Sequence, residues 1–500
     1  MTIINMVGWW ASWPQVPLDA ISVIAVEWWN AEATITWTDP SDIVVNWVTV
    51  TTWSSTKLVR KVGSAPTDSS DWTLVVTETV RDTYSSTWYT DTWLINGTTY
   101  YYAAFAVWNN WLETISSITP DVTPAQRRTF TITWTEASNP AFSVTYSDDA
   151  AWLTAWSTAF DDFFGYSGVR LSTAWVETAT VAQSWWVLDI TQLWTLTSGD
   201  NVMIKFPVRW IKMSKSWSDI TLSITDGIGR ESEWYQYYAF QNTWDIVANA
   251  STTVATKPFY MWAYLAYNDS NTLKSWSGKT PSASFTHWNA ITYAQNNWTW
   301  YTISGFYQTM YIIALYMMKY WNGNGQSTIG MWYVSLSNTW PATTWWTNSQ
   351  TNATYWTSSQ TTQMKLFGIE DWRWNMVRWT WWVFTDSSRN VWTALHNYTA
   401  NISTSESQYK NTWVQVINWE YNLKWISWTN NWLFACTVWD SNSDYNTYYC
   451  ANVYATTNRL SRAWAGWNYN KLPSAFSATY FASTSSSSWN NQWARIMYIN

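Results

Sequence analysis

The position of its tryptophans constrains this chain more than any other feature of the sequence. The 500 residues include 51 Trp but only 15 Gly, whereas ordinary usage predicts roughly 35 Gly. Many Trp follow Asn, Asp, Ser or Thr, as in SSDW at 69–72, SSTW at 85–88 and NNW at 109–111. These are turn sequences when the last residue is Gly, because Gly adopts positive φ without steric cost.

We therefore hypothesise that many Trp stand for Gly. Translating UGA codons as tryptophan, where the organism decodes them as glycine, would produce this pattern and doublets such as Trp28-Trp29. The alternative is a truly Trp-rich chain, whose loop indoles would form apolar patches that promote aggregation. Strand-like or aromatic surroundings indicate that a minority are genuine: Trp37, Trp53, Trp372 and Trp379.

Bulk composition favours a β-rich protein with an uncharged surface. Charged residues make up 12% of the chain, and the net charge is −7 without any Lys/Arg cluster. We expect no nucleic-acid binding, because phosphate contacts need dense positive charge. The absence of a run of 18 apolar residues predicts no membrane insertion. The first 20 residues (1–20) lack the basic segment of a signal peptide and are interpreted as an N-terminal lead.

Residues 21–119 carry short candidate strands at regular spacing, a pattern typical of an antiparallel sandwich. The candidates are ISVIAVE, EATITWT, IVVNWVTVTTW, TKLVRKV, TLVVTET and TTYYYAAFAV. Strand alternation puts every second residue of the last candidate on one face: Tyr100, Tyr102, Ala104 and Ala106.

ATITWTDP, TKLVRKVGSAPTDSSDWTLV and YTDTWLINGTTYYYAAFAV together resemble a fibronectin type III domain of phage and bacterial surface proteins. That family has Tyr-Thr-Asp-Thr-Gly-Leu before its penultimate strand, and here Trp93 occupies the Gly position. The resemblance implies an N-terminal β-sandwich over residues 21–119. The next segment, 120–200, contains TFTITWTE and AFSVTYSDD and is predicted to be a β-rich connecting region.

Residues 201–500 form a second block. VMIKFPVRWIKM and SDITLSITD predict paired strands, and FYQTMYIIALYMMKY predicts a helix. Within that helix four apolar residues repeat at helical spacing, which is typical of core packing: Met310, Ile313, Ala314 and Met317.

With Gly restored, the second block resembles phage tail-fibre or receptor-binding modules with a C-type-lectin-like fold, related to the formylglycine-generating-enzyme fold. Four stretches carry the likeness: MWAYLAY with KSWSGKTP, YWNGNGQSTIGMW, LFGIEDWRWNMVRW, and NRLSRAWAGWNYN through WARIMYIN. Arg378 stands where the family usually has Glu, so no role of that Glu is transferred. The resemblance implies an α+β domain over 201–500 and a chain that is mainly β with some α.

Catalytic signals are weak, and we predict no enzyme and no catalytic residues. His287 and His396 lie in no nucleophile or metal motif. The carboxylate pairs Asp161-Asp162 and Glu370-Asp371 favour turn and capping roles. The two cysteines match no catalytic motif; they either close one disulfide or remain free thiols in neighbouring strands: Cys436 and Cys450.

A metal signal is also weak. Asp440, Asn442 and Asp444 alternate as at the start of a calcium loop, but no Gly follows at the sixth place and no Glu at the twelfth. A polar loop tip is the favoured interpretation, with calcium as the alternative, and we predict neither a metal site nor a cofactor.

The implied lectin-like fold places its receptor face in the last hundred residues, where loops extend from a rigid β core. Tyr and Asn suit such a face, because they combine rigid contacts with adaptable hydrogen bonds. The predicted ligand-binding residues are Asp440, Asn442, Asp444, Tyr445, Tyr448, Asn468, Tyr469, Asn470, Tyr480 and Phe481.

These observations predict a phage virion adhesin, a tail fibre or receptor-binding protein. Its expected partners are a host cell-surface glycan or protein, other virion proteins and further copies of itself, since weak sites gain strength from multiple copies. The alternatives are a structural capsid or tail decoration protein, a secreted bacterial glycan-binding adhesin, and an enzyme with this fold.

Overall fold

The computed structural model describes residues 18–240 with gaps at 22–23, 30, 117–118, 125–127, 136–143, 173–175, 183, 185–186, 194–199, 217–218, 228–234 and 236–237. It also describes residues 257–320 except 283–284, residues 343–372 except 345 and 356–362, and, beyond 372, chiefly the backbone of β-strands. Within these residues the chain is mainly β with three α-helices, which confirms the predicted fold class. Two compact units are present, Met1–Arg127 and Arg128–Asn500.

The first unit is built from antiparallel strands: β1 (Ile24–Trp29), β2 (Glu32–Trp37), β3 (Ile43–Val45), β4 (Val48–Thr51), β5 (Trp53–Val62), β6 (Thr73–Glu78), β7 (Tyr89–Thr92), β8 (Tyr100–Trp108), β9 (Glu113–Ile115) and β10 (Asp121–Val122). One sheet has the order β1-β2-β7, and the other has the order β10-β8-β5-β6 with β9 beside β8. The two sheets bury one shared apolar core.

Strand β8 shows why this sequence forms a sandwich. The four residues predicted to share a face, Tyr100 to Ala106 in steps of two, all lie in the main core. On the opposite face, Ala103 and Phe105 pack with Val59 in a separate cluster. The Tyr100 hydroxyl accepts a hydrogen bond from the Ile95 N–H at 2.9 Å. This contact is the tyrosine corner that pins the crossover in Greek-key sandwiches.

The segment IVVNWVTVTTW was predicted as one strand, and that prediction is wrong. The structure folds it into the β3–β4 hairpin, in which Val45 pairs with Val48 across a two-residue turn. Asn46 and Trp47 occupy this turn with φ of 48° and 66°. Two successive positive φ values define the type I′ turn, which reverses the chain with the twist that strands require.

The first part of the second unit contains β11 (Thr129–Thr135), β12 (Val144–Asp148), α1 (Ala159–Phe164), β13 (Ser167–Leu171), β14 (Glu177–Ala182), β15 (Asn201–Phe206), β16 (Trp210–Ser216), β17 (Asp219–Thr225), β18 (Phe259–Trp262), β19 (Tyr267–Asp269), β20 (Thr272–Lys274), α2 (His287–Gln295), β21 (Tyr301–Ile303) and α3 (Phe306–Tyr320). Its second part contains β22 (Lys365–Leu366), β23 (Ile369–Glu370), β24 (Val377–Thr385), β25 (Asn390–Ala394), β26 (Tyr409–Gln415), β27 (Trp425–Thr429), β28 (Trp432–Thr437), β29 (Arg459–Ala463), β30 (Gln492–Trp493) and β31 (Ile496–Ile499).

The second unit contains three larger sheets. One has the order β12-β11-β17-β16, another has the order β14-β13-β15-β18-β31-β21, and the third has the order β26-β25-β24-β29 with β30 beside β24. Because β11 pairs with β17 along its whole length, the segment 129–135 belongs to the same sheet as residues 210–225. The residues predicted to form a connecting region (120–200) therefore contribute strands to the same sheet as the block that follows them.

Helix α3 has the bounds that the apolar spacing predicts. Met310, Ile313, Ala314 and Met317 are all buried in the main core of the second unit, as expected for a packing stripe. The remaining faces of the helix are also mostly buried, including Gln308, whose side chain donates a hydrogen bond to the Ala239 carbonyl at 2.8 Å. Helix α3 is therefore a central core element.

The last strand determines how the second unit closes. Strand β31 lies between β18 and β21, pairing antiparallel with both. The chain thus leaves this sheet at Trp262, returns once at β21, and returns again at Ile496. The segment between β21 and β31 starts and ends on neighbouring strands of one sheet.

The backbone at Gly368 is closely surrounded by side chains of the second unit. Its φ is +82°, and a Cβ there would lie 2.6 Å from Ile204 Cδ1 and 2.7 Å from Leu188 Cδ2. We expect Gly368→Ala to lower the free energy of unfolding by roughly 2–5 kcal/mol, because it combines backbone strain with overpacking. Chemical denaturation of the full chain measures this loss.

Gly278→Ala is the matched control. Gly278 has a similar φ of +72° but nothing within 4 Å of an added Cβ. This variant should lose only the backbone part, about 1–2 kcal/mol. Equal losses in the two variants would contradict the packing assigned to Gly368.

Candidate functional site

The predicted ligand-binding residues lie outside the described residues, so their placement stays a prediction: Asp440, Asn442, Asp444, Tyr445, Tyr448, Asn468, Tyr469, Asn470, Tyr480 and Phe481. The proposed calcium loop shares three of these residues. Cys436 belongs to β28, but its side chain and all of Cys450 are outside the described part. Arg378 lies in β24 opposite Ala463 of β29. His287 is the first residue of α2, and His396 is not described.

Among the described residues, the candidate site is a buried group of side chains in the second unit. This acidic cluster consists of Thr347, Gln363, Lys365, Glu370 and Asp371. Each side chain belongs to a residue that is at most 2% exposed. The cluster arises from the short hairpin β22–β23, in which Lys365 and Glu370 are directly opposite each other. Phe367 and Gly368 form its turn with positive φ, so the LFGIED sequence folds back within six residues.

Hydrogen bonds surround the Glu370 carboxylate. Its Oε2 accepts from the Thr347 N–H at 3.0 Å and from the Thr347 hydroxyl at 2.5 Å. The Gln363 amide donates to Glu370 Oε1 at 3.3 Å and to Asp371 Oδ2 at 2.5 Å. Thr347 lies in the 3-10 turn Trp346–Ser349. This arrangement agrees with the capping role inferred for the Glu370-Asp371 pair.

Burial dominates the electrostatics of the acidic cluster. Burial, and after it the neighbouring Asp371 carboxylate, raise the pKa of Glu370 to about 8, against the opposing effects of the Thr347 hydrogen bonds and Lys365. Burial also lowers the pKa of Lys365 to about 8, although Glu370 acts in the opposite direction. The pKa values of this cross-strand acid and base are thus shifted toward each other, both to about 8.

A second buried pair joins α1 to α3. Lys319 Nζ donates a hydrogen bond to Asp161 Oδ2, and the Tyr166 hydroxyl donates to Asp161 Oδ1 at 2.7 Å. Burial raises the pKa of Asp161 and lowers that of Lys319, against the attraction between them. Asp161 is thus an ion-pair partner rather than a turn residue, which corrects the role inferred for the Asp161-Asp162 pair.

A third network fixes the end of α2 against the sheet. Asn297 Oδ1 accepts from Lys274 Nζ at 2.7 Å and from Asn201 Nδ2 at 3.1 Å. Asn201 Oδ1 in turn accepts from the Ser275 N–H at 2.9 Å. Burial lowers the pKa of Lys274. The residues of all three networks are buried.

The hydrogen bonds of these buried groups hold neighbouring elements of the second unit together. Sequence reasoning did not single out Thr347, Gln363 or Lys365. A two-residue turn at Phe367-Gly368 places Lys365 opposite Glu370, so this pair could have been predicted from the sequence. No local signal marks Thr347, which is more than twenty positions away. In the described part of the chain, no group of three or more His, Cys, Asp or Glu could hold a metal ion.

No protein-family model matches the chain, and no curated protein is significantly similar to it. Among the described residues, no helix is long and apolar enough to cross a membrane. The function must therefore be argued from the residues and the scaffold themselves.

The acidic cluster predicts how the stability of the protein depends on pH. Between the ordinary Glu value of 4.5 and about 8, the unfolded chain ionises Glu370 while the folded protein keeps it protonated. Stability should therefore fall as pH rises through this window, by at most about 1.4 kcal/mol per pH unit from this group. From about 8 to 10.5, Lys365 reverses the sign, because only the unfolded chain stays protonated there.

Glu370→Gln should reduce the slope between pH 5 and 8 by about one proton. Thr347→Val is the matched control: it removes a hydroxyl donor and lowers stability, but it leaves the carboxyl and hence the slope. Denaturation of the full chain across pH measures both. An unchanged slope in Glu370→Gln would contradict the raised pKa.

Proposed function

We propose that this protein is a phage virion adhesin that recognises the surface of a host cell through its second unit. The observation that carries the proposal is the position of β31 between β18 and β21. It supports a scaffold in which a long segment begins and ends on one rigid sheet, as binding loops require. The ten predicted ligand-binding residues fall, in sequence, between β28 and β30, inside that segment.

The buried networks support the same proposal. A binding loop keeps its affinity only when its base is fixed, because ordering the loop at the moment of binding costs free energy. The acidic cluster, the Asp161–Lys319 pair and the Asn297 network each fix backbone close to the sheet with hydrogen bonds shielded from water. In this proposal the networks support the scaffold, and the ten predicted residues provide the specificity.

The first unit suits a spacer or attachment module. Its two-sheet topology and its tyrosine corner support the resemblance to fibronectin type III domains. Arg60 pairs with Asp91 at 2.6 Å, and the Tyr102 hydroxyl donates to the same carboxylate at 2.7 Å. These bonds link the two sheets of the first unit. Several copies in one particle would convert weak single-site binding into avidity.

The test measures binding of the purified full chain to intact cells of the host and to an immobilised glycan panel. Replacing Tyr445, Tyr448, Tyr469 and Tyr480 together by Ala should cost at least about 2 kcal/mol of binding, roughly thirtyfold, because aromatic anchors dominate such interfaces. Tyr101→Ala in β8 of the first unit is the matched control and should bind as the parent protein does.

Antibody labelling of intact particles completes the test. Label at the distal end of tail fibres is expected of an adhesin. Label over the capsid, with no cell binding, would instead identify a decoration protein. Cell binding by a protein absent from particles would identify a secreted bacterial adhesin.

A further inference from the structure

Five Trp of the described residues have the left-handed backbone that favours glycine. Their φ angles are 66° at Trp47, 95° at Trp72, 65° at Trp93, 66° at Trp111 and 72° at Trp156. Four of these values fall within the range of the positive-φ glycines in the same structure, 64° at Gly165 to 82° at Gly368, and the value at Trp72 is larger. A bulky side chain rarely occupies this region, because its Cβ approaches the backbone carbonyl.

The indoles of these residues gain little that could offset the strain. Trp47 is 99% exposed, Trp93 92%, Trp111 87% and Trp72 60%. Trp156 is less exposed and meets the ring of Tyr320 edge-on. Ordinary strained residues persist where the surrounding structure holds them in place, but the first four side chains project into solvent.

The backbone around these residues forms turns that glycine would complete. Asn46-Trp47 is the two-residue turn of the β3–β4 hairpin, and Asn-Gly is the favoured pair for that turn type. The Trp111 N–H donates to the Trp108 carbonyl at 2.8 Å, closing the turn from β8 into β9. Trp93 lies directly after β7, at the position where the resembled family has Gly.

Other Trp behave as true tryptophans. Trp37 is buried in β2, and its Nε1–H donates to Asp39 Oδ1 at 3.1 Å. Trp53 begins β5, and its Nε1–H donates to the Thr56 hydroxyl at 3.1 Å. In such a position the ring buries apolar surface and the indole N–H forms a hydrogen bond, as is usual for a buried tryptophan. The printed tryptophans of the described residues therefore include two groups: residues with left-handed backbone, mostly exposed, and buried residues whose indole N–H donates a hydrogen bond.

We infer that Trp47, Trp72, Trp93, Trp111 and Trp156 are glycines in the protein as its organism makes it, whereas Trp37 and Trp53 are tryptophans. The difference arises during translation. A glycine-carrying tRNA reads the UGA codons as glycine, and UGG codons are read as tryptophan. This inference concerns residue identity and stands independently of the adhesin proposal.

The first test uses the gene and the native protein together. Codons 47, 72, 93, 111 and 156 should be UGA, and codons 37 and 53 should be UGG. Peptides from the native protein should have glycine mass at the first five positions and tryptophan mass at the other two. UGG at the five positions, or tryptophan mass there, would overturn the inference, and UGA with glycine mass at 37 or 53 would overturn the separation into classes.

A second test needs no native material. In the full chain with the printed sequence, each of Trp47→Gly, Trp93→Gly and Trp111→Gly should increase amide-exchange protection of the first unit about threefold to tenfold over the corresponding Ala variant, because only Gly removes the left-handed strain. Trp37→Gly should reduce protection strongly. No difference between the Gly and Ala variants would show that these positions do not require glycine.

Discussion

Chain reversal with positive φ is the constraint on which the rest of this structure depends. A protein made of short antiparallel strands must turn back every few residues, and tight hairpin turns require left-handed backbone. The turn at Asn46-Trp47 pairs Val45 with Val48, and the turn at Phe367-Gly368 pairs Leu366 with Ile369. A slip of one residue at either turn would exchange the buried and exposed faces of its strands. Turn residues therefore determine which side chains reach each core.

The core of the second unit also depends on charged side chains that are buried and paired. Asp161 and Lys319 are separated by most of the first half of this unit in sequence, yet each is at most 1% exposed and they pair directly. Removing one partner of such a pair leaves an uncompensated charge, which costs more than the pair itself contributes. The pair therefore penalises any arrangement in which α1 and α3 are not adjacent.

The sequence predicted what local pattern encodes. Helix α3 matched its predicted bounds because Met310, Ile313, Ala314 and Met317 repeat at helical spacing, and the two faces of β8 followed from strict alternation. The β3–β4 hairpin was missed because Asn46-Trp47 is not one of the residue pairs that mark a two-residue turn, whereas Asn-Gly is. The acidic cluster was missed because Glu370 meets Thr347 only after the chain has folded, and because charged residues are ordinarily expected at the surface.

Residue identity at the turns also decides where binding can reside. If Trp47, Trp93 and Trp111 are tryptophans, they are among the most exposed apolar side chains of the first unit, and exposed aromatic residues are preferred anchors of interfaces. The first unit would then compete with the second as the receptor-binding module. If they are glycines, the first unit loses the three most exposed indoles of its described residues, while Trp37 and Trp53 stay buried in its core. The first unit then has the character of a spacer, which favours the proposal that recognition belongs to the Tyr- and Asn-rich segment between β28 and β30.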